Sequence, residues 1–172
     1  MTRDIKHLDI DGWPLPNDYL VEVGRIALLW ARLEKFVSNA VANFVGFENL
    51  ADPKAYIVFT SPSFERNLEL LEKLCALLSP TTPNLVGYET VLRDLRAARE
   101  AANLYIKGGM TPNPGDGSVE IDFSDPLDPS AATVKTVTIA DLRDAIMCID
   151  EAQHALYKLV IAIERPDRRI AR

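Results

Sequence analysis

Residues 17–46 read NDYLVEVGRIALLWARLEKFVSNAVANFVG, and their spacing decides the fold class. Val23, Ile26, Trp30, Leu33, Phe36/Val37, Ala40 and Phe44 recur at alternating steps of about three and four. That interval collects them on one face of an α-helix and would scatter them over both faces of a strand. Asn17 suits the N-cap, where its side-chain oxygen can accept from an orphan amide of the first turn, and Gly46 suits the stop. The stretch predicts a helix over residues 18–45, about 40 Å long at the usual rise.

The same reading extends outward on both sides. Asp52-Pro53 carries a cap-plus-proline signal for a short helix through Phe59, with Tyr56, Ile57 and Phe59 as its apolar face. Ser61-Pro62 repeats that signal, and Phe64, Leu68, Leu71, Cys75 and Leu78 make the stripe of a second long helix, 62–78. Thr82-Pro83 opens a third, with Leu85, Tyr88, Leu92, Leu95, Ala98, Ala102 and Tyr105 on one face, and Gly108-Gly109 end it. The small residues Ala97, Ala98, Ala101 and Ala102 let another helix approach closely. Thr138-Ile139-Ala140-Asp141 resembles a capping box, with Asp in place of Glu, and opens a last helix over 139–164.

Between the last two helices the character changes. Pro112, Pro114, Gly115, Gly117, Pro126 and Pro129 mark an insertion over residues 110–138. Within it Val119, Ile121 and Phe123 alternate with Glu120 and Asp122, and Val134 and Val137 flank Lys135-Thr136, the period of a two-stranded hairpin. Residues 1–16 form an arm, because Pro14 and Pro16 prevent a regular helix, and the tail 165–172 leaves at Pro166. The expected fold is mainly α: a single domain over 1–172, an antiparallel bundle of four long helices plus a short helix, with a small β-hairpin insertion around residues 118–138.

Composition bounds the function classes. With 48% hydrophobic and 26% charged residues, the chain has enough apolar side chains to build a core and lies outside the disordered range. A net charge of −6 repels phosphate backbones, so nucleic-acid binding needs a local basic patch. The start lacks the apolar run of a secretory signal, and no apolar stretch reaches the roughly 20 residues of a membrane span, so a cytoplasmic protein without membrane contact is expected. Cys75 and Cys148 have no Cys or His at metal-ligand spacing and read as reduced, buried thiols.

Catalytic signatures are scarce. Of the two histidines, His7 lies in the arm and His154 in the last helix, where it reads as a surface or bundle-edge residue. No dinucleotide, phosphate-loop, nucleophile-elbow or His-Glu-x-x-His pattern occurs. Glu151-Ala152-Gln153-His154 is a single copy of Glu-x-x-His, where a di-metal bundle needs a second on another helix and a Glu from each of two more. No catalytic residue, metal or cofactor is expected.

Two segments together resemble the HEPN-like helical-bundle family. Trp30-Ala31-Arg32-Leu33-Glu34 is similar to the Trp-x-x-Leu-Glu of many such proteins, and Ala102-Asn103-Leu104-Tyr105-Ile106-Lys107-Gly108 stands where they carry Arg-Asn-x-x-x-His followed by Gly. The resemblance implies an RNA-directed site across a dimer interface, with the Arg and His acting at the phosphodiester. Here Ala102 and Lys107 replace them, so it implies lost or altered ribonuclease chemistry. A lysine of ordinary pKa, about 10.4, can hold a phosphate but is a poor general base.

The residues thus lead to a non-catalytic helical interaction module, homodimeric, whose Ala-rich helix or hairpin insertion supplies a surface for itself or for a protein partner. The alternative is an RNA- or nucleotide-binding protein of the HEPN-like type, with Arg96, Arg99, Asn103 and Lys107 as a local basic site. The simpler reading of Glu34, Arg99 and Asn103 is a polar network tying the first helix to the motif helix.

Overall fold

The computed structural model describes residues 15–46, 63–122 and 134–164. The expected short helix at 53–59, the arm before residue 15 and the tail after residue 164 lie outside the described residues. Four helices pack together: α1 (Asn17–Val45), α2 (Phe64–Leu78), α3 (Tyr88–Lys107) and α4 (Ile139–Glu164). A 3-10 turn at Pro83–Leu85 joins α2 to α3, and the strands β1 (Gly109–Pro112), β2 (Val119–Asp122) and β3 (Val134–Val137) separate α3 from α4.

The apolar stripes become the core as their period requires. Ile26, Leu33, Val37 and Ala40 of α1 are fully buried, as are Leu71 and Cys75 of α2, Leu95 and Ala98 of α3, and Leu142, Ile149 and Leu156 of α4. Val23, Trp30, Phe36 and Phe44 pack half-buried at its margin. Burial pushes the Cys75 thiol up to about 12, with the Glu89 carboxylate adding to the effect, so it stays a neutral thiol.

Helix boundaries differ from the sequence reading where backbone groups found other partners. Pro16, not Asn17, holds the α1 N-cap position, and its carbonyl accepts from the Leu20 amide at 3.2 Å. Gly46 ends the helix in the left-handed region, φ 92°, which a residue with a Cβ enters only at a cost. Ser63 caps α2, its hydroxyl accepting from the Arg66 amide at 3.3 Å. Thr82-Pro83 opens only the 3-10 turn; its buried Leu85 anchors it, and Gly87 at φ 88° redirects the chain so that α3 starts at Tyr88.

The sheet has three antiparallel strands in the order β1-β2-β3, where a two-stranded hairpin was expected. Met110 pairs with Ile121 and Ile121 with Lys135, while Val119 pairs with Val137. The added strand ends in Pro112, which an edge position tolerates because no ladder amide is needed on its open side. Val119, Ile121 and Val137 turn one face of the sheet toward the core. The Tyr19 hydroxyl donates to the Val137 carbonyl at 2.9 Å, tying the start of α1 to β3.

Helix direction follows connection length. Glu72 meets Arg96 and Glu65 meets Arg99, so α2 and α3, joined by a short turn, run antiparallel. Tyr105 lies near Asp141, and Asp94 near Cys148, so α3 and α4 do too. By contrast Glu22 meets Arg143 and Phe36 meets Tyr157, the same offset both times, so α4 lies alongside α1 in the same direction. A long segment between α1 and α2 frees that pair from the alternation that short turns impose.

The capping box at α4 forms as the sequence reads. Asp141 Oδ2 accepts from the Thr138 amide at 2.7 Å and from the Thr138 hydroxyl at 2.6 Å, while Thr138 Oγ1 accepts from the Asp141 amide at 3.2 Å. Thr138→Ala is expected to lower the unfolding free energy by about 1 kcal/mol at neutral pH, measured by urea denaturation. The Thr138 hydrogen bonds hold the Asp141 carboxyl below its ordinary value. A depressed folded-state pKa stabilises above the unfolded value and fades as pH falls through the folded one, so the gap between native and Thr138→Ala proteins should narrow in acid.

Candidate functional site

The two segments that carry the family resemblance come together in space. Trp30 stacks at a tilt on Phe64, ring centroids 4.7 Å apart, and hydrogen-bonds the Glu34 carboxylate one turn on. Burial raises the Glu34 pKa, and neighbouring Glu65 adds to it, against the opposing Trp30 hydrogen bond and the Lys107 charge. Glu34 and Lys107 therefore share one neighbourhood at the meeting of α1, α2 and the end of α3.

The rest of the predicted set is arranged otherwise. Arg99 pairs with Glu65 of α2 rather than with Glu34, and Arg96 pairs with Glu72 at 2.6 Å. Asn103 is half-buried and Lys107 exposed on the same side of α3, one turn apart, following Arg99. The shallow groove at Arg96 and Arg99 is also lined by Glu65, Glu69 and Glu100, so acidic groups outnumber the two guanidiniums. The four residues do not make a positive patch, because α2 sets a carboxylate row against them. Ala102, where the motif's arginine would stand, is fully buried.

A second concavity, which sequence reading missed, runs between the parallel helices α1 and α4. It has a volume of about 620 Å³ and is lined by Arg32, Lys35, Phe36 and Asn39 from α1 and by Asp150, Gln153, His154 and Tyr157 from α4. Each wall is a helical row: 32, 35 and 39 on one side, 150, 154 and 157 on the other. The Phe36 and Tyr157 rings meet across it, centroids 6.3 Å apart and tilted by 39°. His154 Nδ1 lies 3.2 Å from the Asp150 carbonyl oxygen and 3.5 Å from its carboxylate. Gln153 Oε1 is buried and has no hydrogen-bond partner among the described residues.

Further along the same helix pair Glu22, only 4% exposed, sits between two guanidiniums. Arg25 reaches it at 2.8 Å and Arg143 at 3.2 Å. Burial alone would raise its pKa, but the two hydrogen bonds and the two positive charges outweigh that and hold the carboxyl below its ordinary value. The group is satisfied within the fold and ties α1 to α4. Among the described residues no cluster of His, Cys, Asp and Glu could hold a metal ion, and no helix is long and apolar enough to cross a membrane.

Comparison with protein families, with curated proteins and with solved structures finds no match to this chain. The HEPN-like resemblance accordingly rests on the Trp30–Glu34 and Ala102–Gly108 segments and the order of elements around them, without a matching relative.

Proposed function

We propose that this protein is a non-catalytic, cytoplasmic helical interaction module that works as a homodimer. The observation that carries this reading is an apolar row left open on the outer face of α1. Val21 is 53% and Leu28 75% exposed, and Gly24, Ala27 and Ala31 are exposed between and beside them. Positions 21, 24, 28 and 31 follow the three-four spacing of a coiled-coil seam, and a seam of that kind can pair with its own copy about a two-fold axis. Glycine and alanine within it let two backbones approach. Of the α3 alanines, Ala98 and Ala102 are spent within the chain, fully buried, while Ala101 is half-buried and Ala97 exposed. On this reading the self-associating surface is the α1 row, and the Ala-rich helix contributes its buried alanines to the core.

The non-catalytic half of the reading draws on the motif positions. A buried Ala102 cannot touch a phosphodiester. A second reading, HEPN-like RNA or nucleotide binding with lost or altered ribonuclease chemistry, is favoured by the convergence of Glu34 and Lys107. The acidic partners of Arg96 and Arg99 weigh against it.

Light scattering after size exclusion tests the module directly. The native chain is expected at twice its 19.1 kDa mass, and Leu28→Glu should weaken dimerisation by about 2 kcal/mol or more, the scale of an interface hot spot. A native chain that stays monomeric at all concentrations overturns the homodimer. Single-stranded RNA added to the same samples separates the two readings: binding that Asn103→Ala/Lys107→Ala abolishes would establish the second.

A further inference from the structure

We infer that the groove between α1 and α4 is a binding site for a small organic anion carrying a planar ring. It is distinct from the α3 motif, and on α1 it begins where the seam ends, at Arg32 beside Ala31.

Charge is the first argument. The chain carries a net charge of −6, yet one wall of the groove presents Arg32 and Lys35 one turn apart. Arg25, Arg93, Arg96, Arg99 and Arg143 each pair with a carboxylate. Arg32 and Lys35 have no such partner among the described residues. The carboxylate nearest them in the groove, Asp150, is turned to His154 of its own helix. Two unspent cations at the rim of a concavity suit an anionic group, and the arginine can meet it with two parallel hydrogen bonds.

Shape and polarity supply the second. Phe36 and Tyr157 place aromatic surface within the groove, with Tyr157 54% exposed, against which a flat ring can lie. A volume of about 620 Å³ falls in the range of sites for small organic molecules. Beside the aromatic pair, Gln153 Oε1 is a buried acceptor with no donor among the described residues. Gln153 lines the groove, and the terminal amide torsion of glutamine is broad enough to present that oxygen to a bound ligand. A ring bearing an amine would satisfy it.

Titration calorimetry with probes of graded chemistry tests the site. Aminobenzoate and AMP present a ring with an amine and an anion, carboxylate in one and phosphate in the other. Aniline and adenosine are their neutral counterparts, benzoate lacks the amine, and inorganic phosphate lacks the ring. At least one of the two complete probes is expected to saturate one site per chain, binding at least about tenfold tighter than its neutral counterpart and than phosphate alone. Arg32→Gln/Lys35→Gln should lose about the same factor, with an unchanged melting temperature because both side chains are exposed. Gln153→Leu should erase the preference for aminobenzoate over benzoate. Which complete probe binds more tightly tells a carboxylate ligand from a phosphate one.

The inference is overturned if neither complete probe saturates, if the neutral rings bind equally well, or if Arg32→Gln/Lys35→Gln binds as the native chain does. Val21→Glu, which also charges the seam but lies about three turns from Arg32, should bind the probes unchanged, so failure of the dimer and failure of the site are separate results.

Discussion

Ala102→Arg, the substitution that would write the family's arginine back into the motif, is expected to destabilise the fold by about 3–5 kcal/mol, the scale of an uncompensated buried charge. Ala102 is fully buried on α3, one turn from equally buried Ala98, on the face that packs into the core. A guanidinium there must either push the neighbouring helices apart or lie without a carboxylate in an apolar layer. The loss would be a large fraction of the roughly 5–15 kcal/mol that holds a domain together. Ala97→Arg, five residues earlier at an exposed position, is the control and should stay within about 0.5 kcal/mol of the native protein. Urea denaturation followed by circular dichroism reads both. An Ala102→Arg protein as stable as its control would mean that the interface opens to solvent, and the argument that the motif position is closed to chemistry would fall.

Gly108→Ala is expected to cost about 1–3 kcal/mol, the usual range for overpacking. Gly108 lies at φ −67° and ψ 134°, a conformation any residue adopts, so the requirement is space and not backbone freedom. Its amide closes the last turn of α3 on the Leu104 carbonyl at 3.1 Å. A Cβ there would collide with that same carbonyl oxygen and stand 3.3 Å from Ile121 Cγ2 of β2. The glycine thus lets the sheet fold back tightly against the helix end. Gly109, where a Cβ would meet open space, is the comparison: Gly109→Ala should change stability by no more than about 0.5 kcal/mol. Equal effects at both positions would remove the packing explanation.

Gly108 also marks how far sequence alone reads. It appears there as a helix stop, which it is, but its contact with Ile121 depends on a strand thirteen positions away in the chain. The first strand went unseen for a related reason. Gly109–Pro112 has little strand propensity of its own and is held by its pairing with Val119–Asp122. The candidate basic site fared likewise: Arg96 and Arg99 are visible on α3, whereas the carboxylates opposing them belong to α2.

The rows of the α1/α4 groove are present in the sequence as local spacings, Arg32, Lys35 and Asn39 on one helix and Asp150, His154 and Tyr157 on the other. Nothing in either spacing says that the two rows face each other. What the sequence by itself determined is the four long helices, their buried faces and the cap at Thr138, because apolar period and capping act over a few residues. What only the tertiary structure decided is the direction of α4 beside α1, the burial of Ala102 and the pairing of each arginine. Those depend on which faces meet after long connections close, and the loop entropy and core packing that settle it are properties of the whole chain.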